Sequence, residues 1–178
     1  MIRILIYFFI GFGFTLLQTS LLPRLPFLQV RPDLLLILVV YLGFNERHLR
    51  GAVLCYLLGS FFDAFAGNSP GLYGTVLVGT FLAVRLIADH LNTESSLLLL
   101  FMVFCGTLIE GLLLVFLLGT FDEAGSLLGV VLGRLPLQAL VNTAIALVLL
   151  KSLLWLQRWW FPRRRIPGLQ KLDTRYEP

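Results

Sequence analysis

Residues 59–74 read GSFFDAFAGNSPGLYG. An apolar run ends near Asp63, a Gly-Asn-Ser-Pro-Gly break follows, and a second apolar run starts at Leu72. Two such runs separated by a few turn-forming residues predict a tight turn between two helices. The carboxylate in this place asks for a reason. Ionisable side chains are costly in lipid, so where they occur they face protein.

The alternation of apolar block and polar break covers the rest of the chain. Of its 178 residues, 58% are hydrophobic and 13% charged, against about 45–50% and about 25% in soluble domains. The charges collect between blocks and at the C-terminus, whereas amphipathic soluble helices would carry polar residues every third or fourth position. The alternating segments of about ten residues that a β-barrel needs are absent. The predicted fold class is therefore all-α, a polytopic membrane bundle of about six transmembrane helices.

The six blocks are residues 4–22, 33–45, 50–66, 71–88, 96–118 and 127–156. The second is short: residues 34–44 cover about half of a core that takes about twenty helical residues to cross. It reads either as a half-span or as a helix that recruits its flanks while the bilayer thins. Pro32 is placed in its first turn, where the missing N–H costs nothing. Residues 1–22 carry an apolar stretch too long for a signal peptide, with no A-x-A-like cleavage site, and read as a first span that is retained. The domain organisation is a six-helix transmembrane domain over 1–157 and a basic tail over 158–178.

An even number of spans puts both termini on one side. With that side cytoplasmic, eleven of the fourteen Lys and Arg residues lie inside, and only Arg24, Arg31 and Arg134 lie outside. The tail sets this bias. Trp155, Trp159 and Trp160 are spaced for the headgroup belt, and Arg163, Arg164 and Arg165 follow directly. The segment reads as an orientation anchor on anionic membrane lipid, with docking of a cytoplasmic partner as the alternative.

No catalytic constellation is present. His48 and His90 fall in short loops without metal-ligand spacing, and Cys55 and Cys105 sit mid-block as small apolar residues. There is no Walker loop, HExxH or Ser-His-Asp ordering. The sequence does not read as an enzyme and implies no cofactor, metal or nucleic acid. What remains are polar residues inside the blocks: Asp63, Arg85, Glu110, Arg134, Gln138 and Asn142. Arg85 precedes Asp89 by four residues and should pair with it on one helix face. Glu110 and Arg134 each lie twelve residues from Asp122, the centre of the turn between the fifth and sixth blocks. Equal rise on both arms puts them at one depth, and they are expected to pair. A buried pair of this kind fixes helix register; a ligand or proton site is the alternative.

Steps of four through the third block give Gly51, Cys55, Gly59, Asp63 and Gly67, a face of small residues that lets another backbone come close. Asp63 ends this seam, with Arg31 or Arg134 as its expected partner. Gly125, Gly129 and Gly133 form a second seam, open to serve the bundle or a second copy of the chain.

RPDLLLILVVYLGF (31–44) and RGAVLCYLLGSFFDAFAGNSPGLYG (50–74) resemble the MreD family of integral-membrane rod shape-determining proteins. The positions that carry the resemblance are Pro32, Asp33, Tyr41, Gly51, Gly59, Asp63, Pro70, Gly71, Leu72 and Tyr73. The family often has a leucine between the Pro and Gly of the turn, where this chain passes directly from Pro70 to Gly71. The resemblance implies a non-enzymatic subunit of the machinery for lateral cell-wall growth in the bacterial cytoplasmic membrane. It would bind MreC and work beside MreB, RodA and a class B penicillin-binding transpeptidase. Gly51, Gly59 and Asp63 would hold the inner packing, and one seam would receive the transmembrane segment of MreC.

The resemblance also implies a fold related to the substrate-binding subunits of energy-coupling-factor vitamin transporters. A small-molecule-binding transporter subunit is the alternative, with Asp63, Glu110, Arg134 and Asn142 as pocket residues. The short outer loops count against a lidded pocket of that kind.

Overall fold

Two glycines with left-handed backbone make the turn at the centre of the quoted stretch. Gly67 has φ 72° and donates its N–H to the Asp63 carbonyl, ending one helix; Gly71 has φ 84° and precedes the next. A side chain at either position would be strained, which is why glycine stands there. The structure is a computed structural model that describes residues 2–21, 32–67, 70–90, 96–121 and 127–160. Six helices follow in order: α1 (Ile2–Leu16, continued by a π-helical turn Leu17–Leu21), α2 (Leu34–Asn45), α3 (His48–Ala66), α4 (Leu72–His90), α5 (Ser96–Phe121) and α6 (Leu127–Trp160). No strand occurs among the described residues.

Four helices, α3 to α6, are long and apolar enough to cross a membrane; α1 and α2 are shorter. The short second helix expected from the sequence is twelve residues, about 18 Å at 1.5 Å per residue. Its surroundings explain how it is tolerated. α2 touches each of the other five helices, and Leu35, Leu36, Val39, Val40 and Leu42 are fully buried. A helix that is apolar all round belongs inside protein. Pro32 lies two residues before this helix and not in its first turn. The N-cap is Asp33, whose Oδ1 accepts the Leu36 N–H at 2.9 Å.

One apolar cluster lies where α2 meets α3 and α4, around Leu35, Leu58, Leu77 and Phe81. A second lies where it meets α4, α5 and α6, around Leu36, Val84, Met102 and Ala146. The glycine face of α3 turns to α4. A Cβ on Gly59 would lie 2.7 Å from the Gly74 nitrogen, and one on Gly51 would overlap the Phe81 ring. Cys55 and Asp63, on the same face, are buried as well. Gly67 is not part of it, because the helix has already ended there.

The α5–α6 hairpin is tight: a Cβ on Gly111 would lie 3.1 Å from Leu135 Cγ and overlap that side chain. Pro136 sits inside α6. It removes one backbone donor, which membrane helices tolerate where neighbouring groups compensate. Outward-facing residues are mainly apolar, among them Phe9, Phe65, Leu97, Phe101, Phe116 and Val148, as lipid contact requires.

At the far end of α4 the expected Arg85–Asp89 pair forms at 2.9 Å. Arg85 also donates to the Gly43 carbonyl at 3.1 Å, at the C-terminal end of α2, and His48 lies 3.4 Å from Asp89. These contacts tie the ends of α2, α3 and α4 together.

Gly59→Leu should wreck the α3–α4 contact, because the obstacle is backbone and cannot rotate away. The expected loss is about 1–3 kcal/mol or more, the usual range for forced overpacking. Gly133, whose added Cβ would meet nothing among the described residues within 4 Å, is the control. Thermal unfolding in detergent should show a clear drop for Gly59→Leu and none for Gly133→Leu.

Candidate functional site

Tyr73, the second residue of α4, is the point on which the buried polar side chains converge. Its N–H donates to the Asp63 carboxylate, 3.0 Å from Oδ2 and 3.2 Å from Oδ1, and Gly74 N–H adds a longer contact to Oδ2 at 3.4 Å. These are the second and third amides of α4, the groups a helix start leaves without partners. Asp63 therefore caps α4 from α3, with its negative charge at the positive end of the helix dipole. No cation among the described residues pairs with it. The expected partners were Arg31, outside the described residues, and Arg134, which is exposed.

At its other end, the Tyr73 phenol oxygen meets two carboxyl groups. It hydrogen-bonds Asp33 Oδ2 and lies 2.6 Å from Glu110 Oε1. The ring is fully within the bundle and packs on Phe62 with centroids 4.6 Å apart. Asp33 gathers further contacts. Its Oδ1 accepts from Leu36 N–H and from Gln18 Nε2 at 3.0 Å, and its own N–H donates to Asn142 Oδ1 at 2.8 Å. Asn142 Nδ2 donates to Thr107 Oγ1 at 3.1 Å. Gln18 Nε2 also reaches the Pro32 carbonyl at 3.3 Å, while Gln18 Oε1 is buried without a partner among the described residues.

The cluster thus joins the π-helical turn after α1, the start of α2, the start of α4 and the middles of α5 and α6. The wide turn at Leu17–Leu21 carries Gln18; such turns recur at functional positions in helices. Asp33, Asp63, Thr107, Glu110 and Asn142 are all buried. Groups buried this deeply must be hydrogen-bonded to be tolerated: Tyr73 and Gly74 meet Asp63, Tyr73 meets Glu110, and Asn142 joins Asp33 to Thr107.

The expected Glu110–Arg134 pair is not formed. The two residues do lie at similar depth, as the contact between their neighbours Gly111 and Leu135 establishes. Their directions differ. Successive residues are turned about 100° around a helix, so with Leu135 facing α5, Arg134 points outward and is exposed. Glu110 turns inward to Tyr73.

Of the other positions singled out in the sequence, Tyr41 is half-buried and stacks edge-on to Tyr7, 6.0 Å between centroids, outside the cluster. Pro70 is exposed in the turn, and the Gly71 carbonyl accepts the Thr75 N–H at 3.0 Å. Gly133 is exposed. Gly125, Arg163, Arg164 and Arg165 lie outside the described residues, as do the side chains of Trp155, Trp159 and Trp160 and the surroundings of Gly129. Gln18 and Thr107 were missed by the sequence reading. Each is a neutral polar residue inside an apolar block, the signal that could have found them.

Tyr73→Phe keeps the ring but leaves two buried carboxyl groups without the hydroxyl between them. An unsatisfied buried polar group costs about 1–3 kcal/mol, so unfolding in detergent should show a loss in that range. Asp63→Ala, which uncaps α4, should cost about 1–2 kcal/mol. Tyr41→Phe should be near neutral by the same measurement.

No curated protein and no solved structure gives a significant match to this chain. A family model does, over residues 1–158: rod shape-determining protein MreD. The match takes in all six helices but for the last residues of α6, and with them every residue of the Tyr73 cluster. The chain is an integral membrane protein of the MreD family.

Proposed function

We propose that this chain acts in rod-shape determination as a non-enzymatic membrane scaffold, and that it receives the transmembrane segment of MreC on the outward side of the α5–α6 hairpin. In the larger complex it would stand beside MreB, RodA and a class B penicillin-binding protein, in the cytoplasmic membrane with both termini inside. The basic tail would rest on anionic lipid.

Family membership supports the broad role. The docking face is supported by one observation: Gly133 is a helical glycine with nothing among the described residues within 4 Å of where its Cβ would be. Glycine in a helix is unfavourable unless close approach uses it. Gly51 and Gly59 are already used, against α4. Gly119 on α5 is likewise open among the described residues, as is Gly13 on α1. But α5 and α6 carry two such glycines between them, and Leu112, Phe116, Arg134 and Leu137 are exposed on the same two helices. Arg134 offers a charge for an acidic side chain of the arriving helix.

The transporter reading draws less support. Of its four pocket residues, Arg134 faces outward, Asp63 caps a helix, and Glu110 and Asn142 are hydrogen-bonded within the cluster.

A pull-down of tagged protein from detergent-solubilised native membranes tests the proposal. Wild type should recover MreC, and Gly133→Leu should recover about tenfold less while expressing and melting like wild type. Full recovery with Gly133→Leu would remove this face as the docking site. Copurification of an ATPase module with wild type, and no MreC, would favour the transporter subunit.

A further inference from the structure

We propose that the Asp33–Tyr73–Glu110 cluster is a proton-binding site, holding one proton between its two carboxyl groups, with the proton on Glu110 and the negative charge on Asp33. The inference is independent of which partner the protein binds.

The cluster has one hydrogen too few unless a carboxyl group is protonated. The Tyr73 oxygen makes two oxygen-to-oxygen contacts, to Asp33 Oδ2 and to Glu110 Oε1. A phenol has one hydrogen and can donate to only one of them. The other contact needs a hydrogen supplied by a carboxylic acid. Without it, two lone-pair-bearing oxygens would face each other at 2.6 Å.

The remaining contacts say which carboxyl is the acid. Asp33 Oδ1 already accepts two N–H groups, from Leu36 and Gln18. It also sits at the N-terminus of α2, where backbone amides and the helix dipole favour a negative charge. Asp33 is thus solvated as an anion and accepts the Tyr73 hydroxyl hydrogen as well. Glu110 is in the middle of α5, far from a helix start and its free amides, and its carboxyl meets the Tyr73 oxygen at 2.6 Å. Its acid hydrogen completes the second contact: Glu110 donates to Tyr73, and Tyr73 donates to Asp33.

Among the described residues no positive charge lies against the cluster that could replace this proton. Neither carboxyl group has a salt-bridge partner among the described residues. The other groups facing the cluster are Gln18 after α1, Thr107 on α5 and Asn142 on α6, all neutral. From α3 comes a further carboxylate, Asp63, bound to the Tyr73 and Gly74 amides. Two more anions beside it would have no counter-charge among the described residues, in a low-dielectric interior. One proton lowers the charge of the pair from two to one.

Infrared difference spectroscopy of the full-length protein in lipid reads this directly. At neutral pH the spectrum should contain the carbonyl stretch of a neutral carboxylic acid, shifted by exchange into deuterium oxide. Carboxyl-labelled 13C-glutamate should move that band to lower frequency, and labelled aspartate should leave it in place. This labelling keeps the test free of any folding defect. Glu110→Gln should abolish the band, and Tyr73→Phe should raise its frequency by removing the acceptor of the acid hydrogen. Absence of a neutral-acid band, a band that follows the aspartate label, or one that survives Glu110→Gln would each overturn the assignment.

Discussion

Tyr73 is held at both ends, and the arrangement of the helices depends on that grip. Its amide is fixed by Asp63 from α3, and its phenol by Asp33 from α2 and Glu110 from α5. A membrane interior offers no water to satisfy such groups, so a bundle that contains them must bring the partners together or not fold well. Apolar packing between helices has little preference for one register in lipid, because lipid tails are as apolar as leucine. A set of directional contacts at one point supplies the register that packing does not.

The position of α2 follows from the same point. Its first turn is inside the bundle, where exposed amides would be expensive. Asp33 answers this by capping its own helix while joining Gln18, Tyr73 and Asn142 to it. A twelve-residue helix can then serve as the centre about which five others are arranged. The glycines of α3 complete the geometry by allowing α4 to come within backbone contact at Gly74, one residue from Tyr73. Seam and cluster are two parts of one joint.

Much of this was legible in the sequence and some was not, for identifiable reasons. The six apolar blocks mark the six helices to within a few residues, because apolar length is what lipid demands. The small-residue face of α3 was readable from its spacing of four. Asp63 stood out as a misplaced carboxylate, yet its partner did not. Reading side chains alone suggests an arginine, whereas the donors are backbone amides, which every sequence carries and none displays. Glu110 was assigned the right depth and the wrong direction, since depth follows from counting residues and direction from a helical phase that a turn of unknown shape leaves open. Asp33 and Tyr73 entered through family resemblance. Their chemistry becomes visible only when residues forty apart in sequence meet.

Tyr73 and the carboxyl groups around it act as a unit and not as separate contacts. A double-mutant cycle on Asp33→Asn and Glu110→Gln, read by reversible unfolding in mixed micelles, measures this directly. The account expects the two losses to be non-additive by about 0.5–3 kcal/mol, the range for residues in one hydrogen-bond network. Losses that add to within about 0.3–0.5 kcal/mol would mean that the two carboxyl groups do not sense each other through Tyr73, and the account would be contradicted.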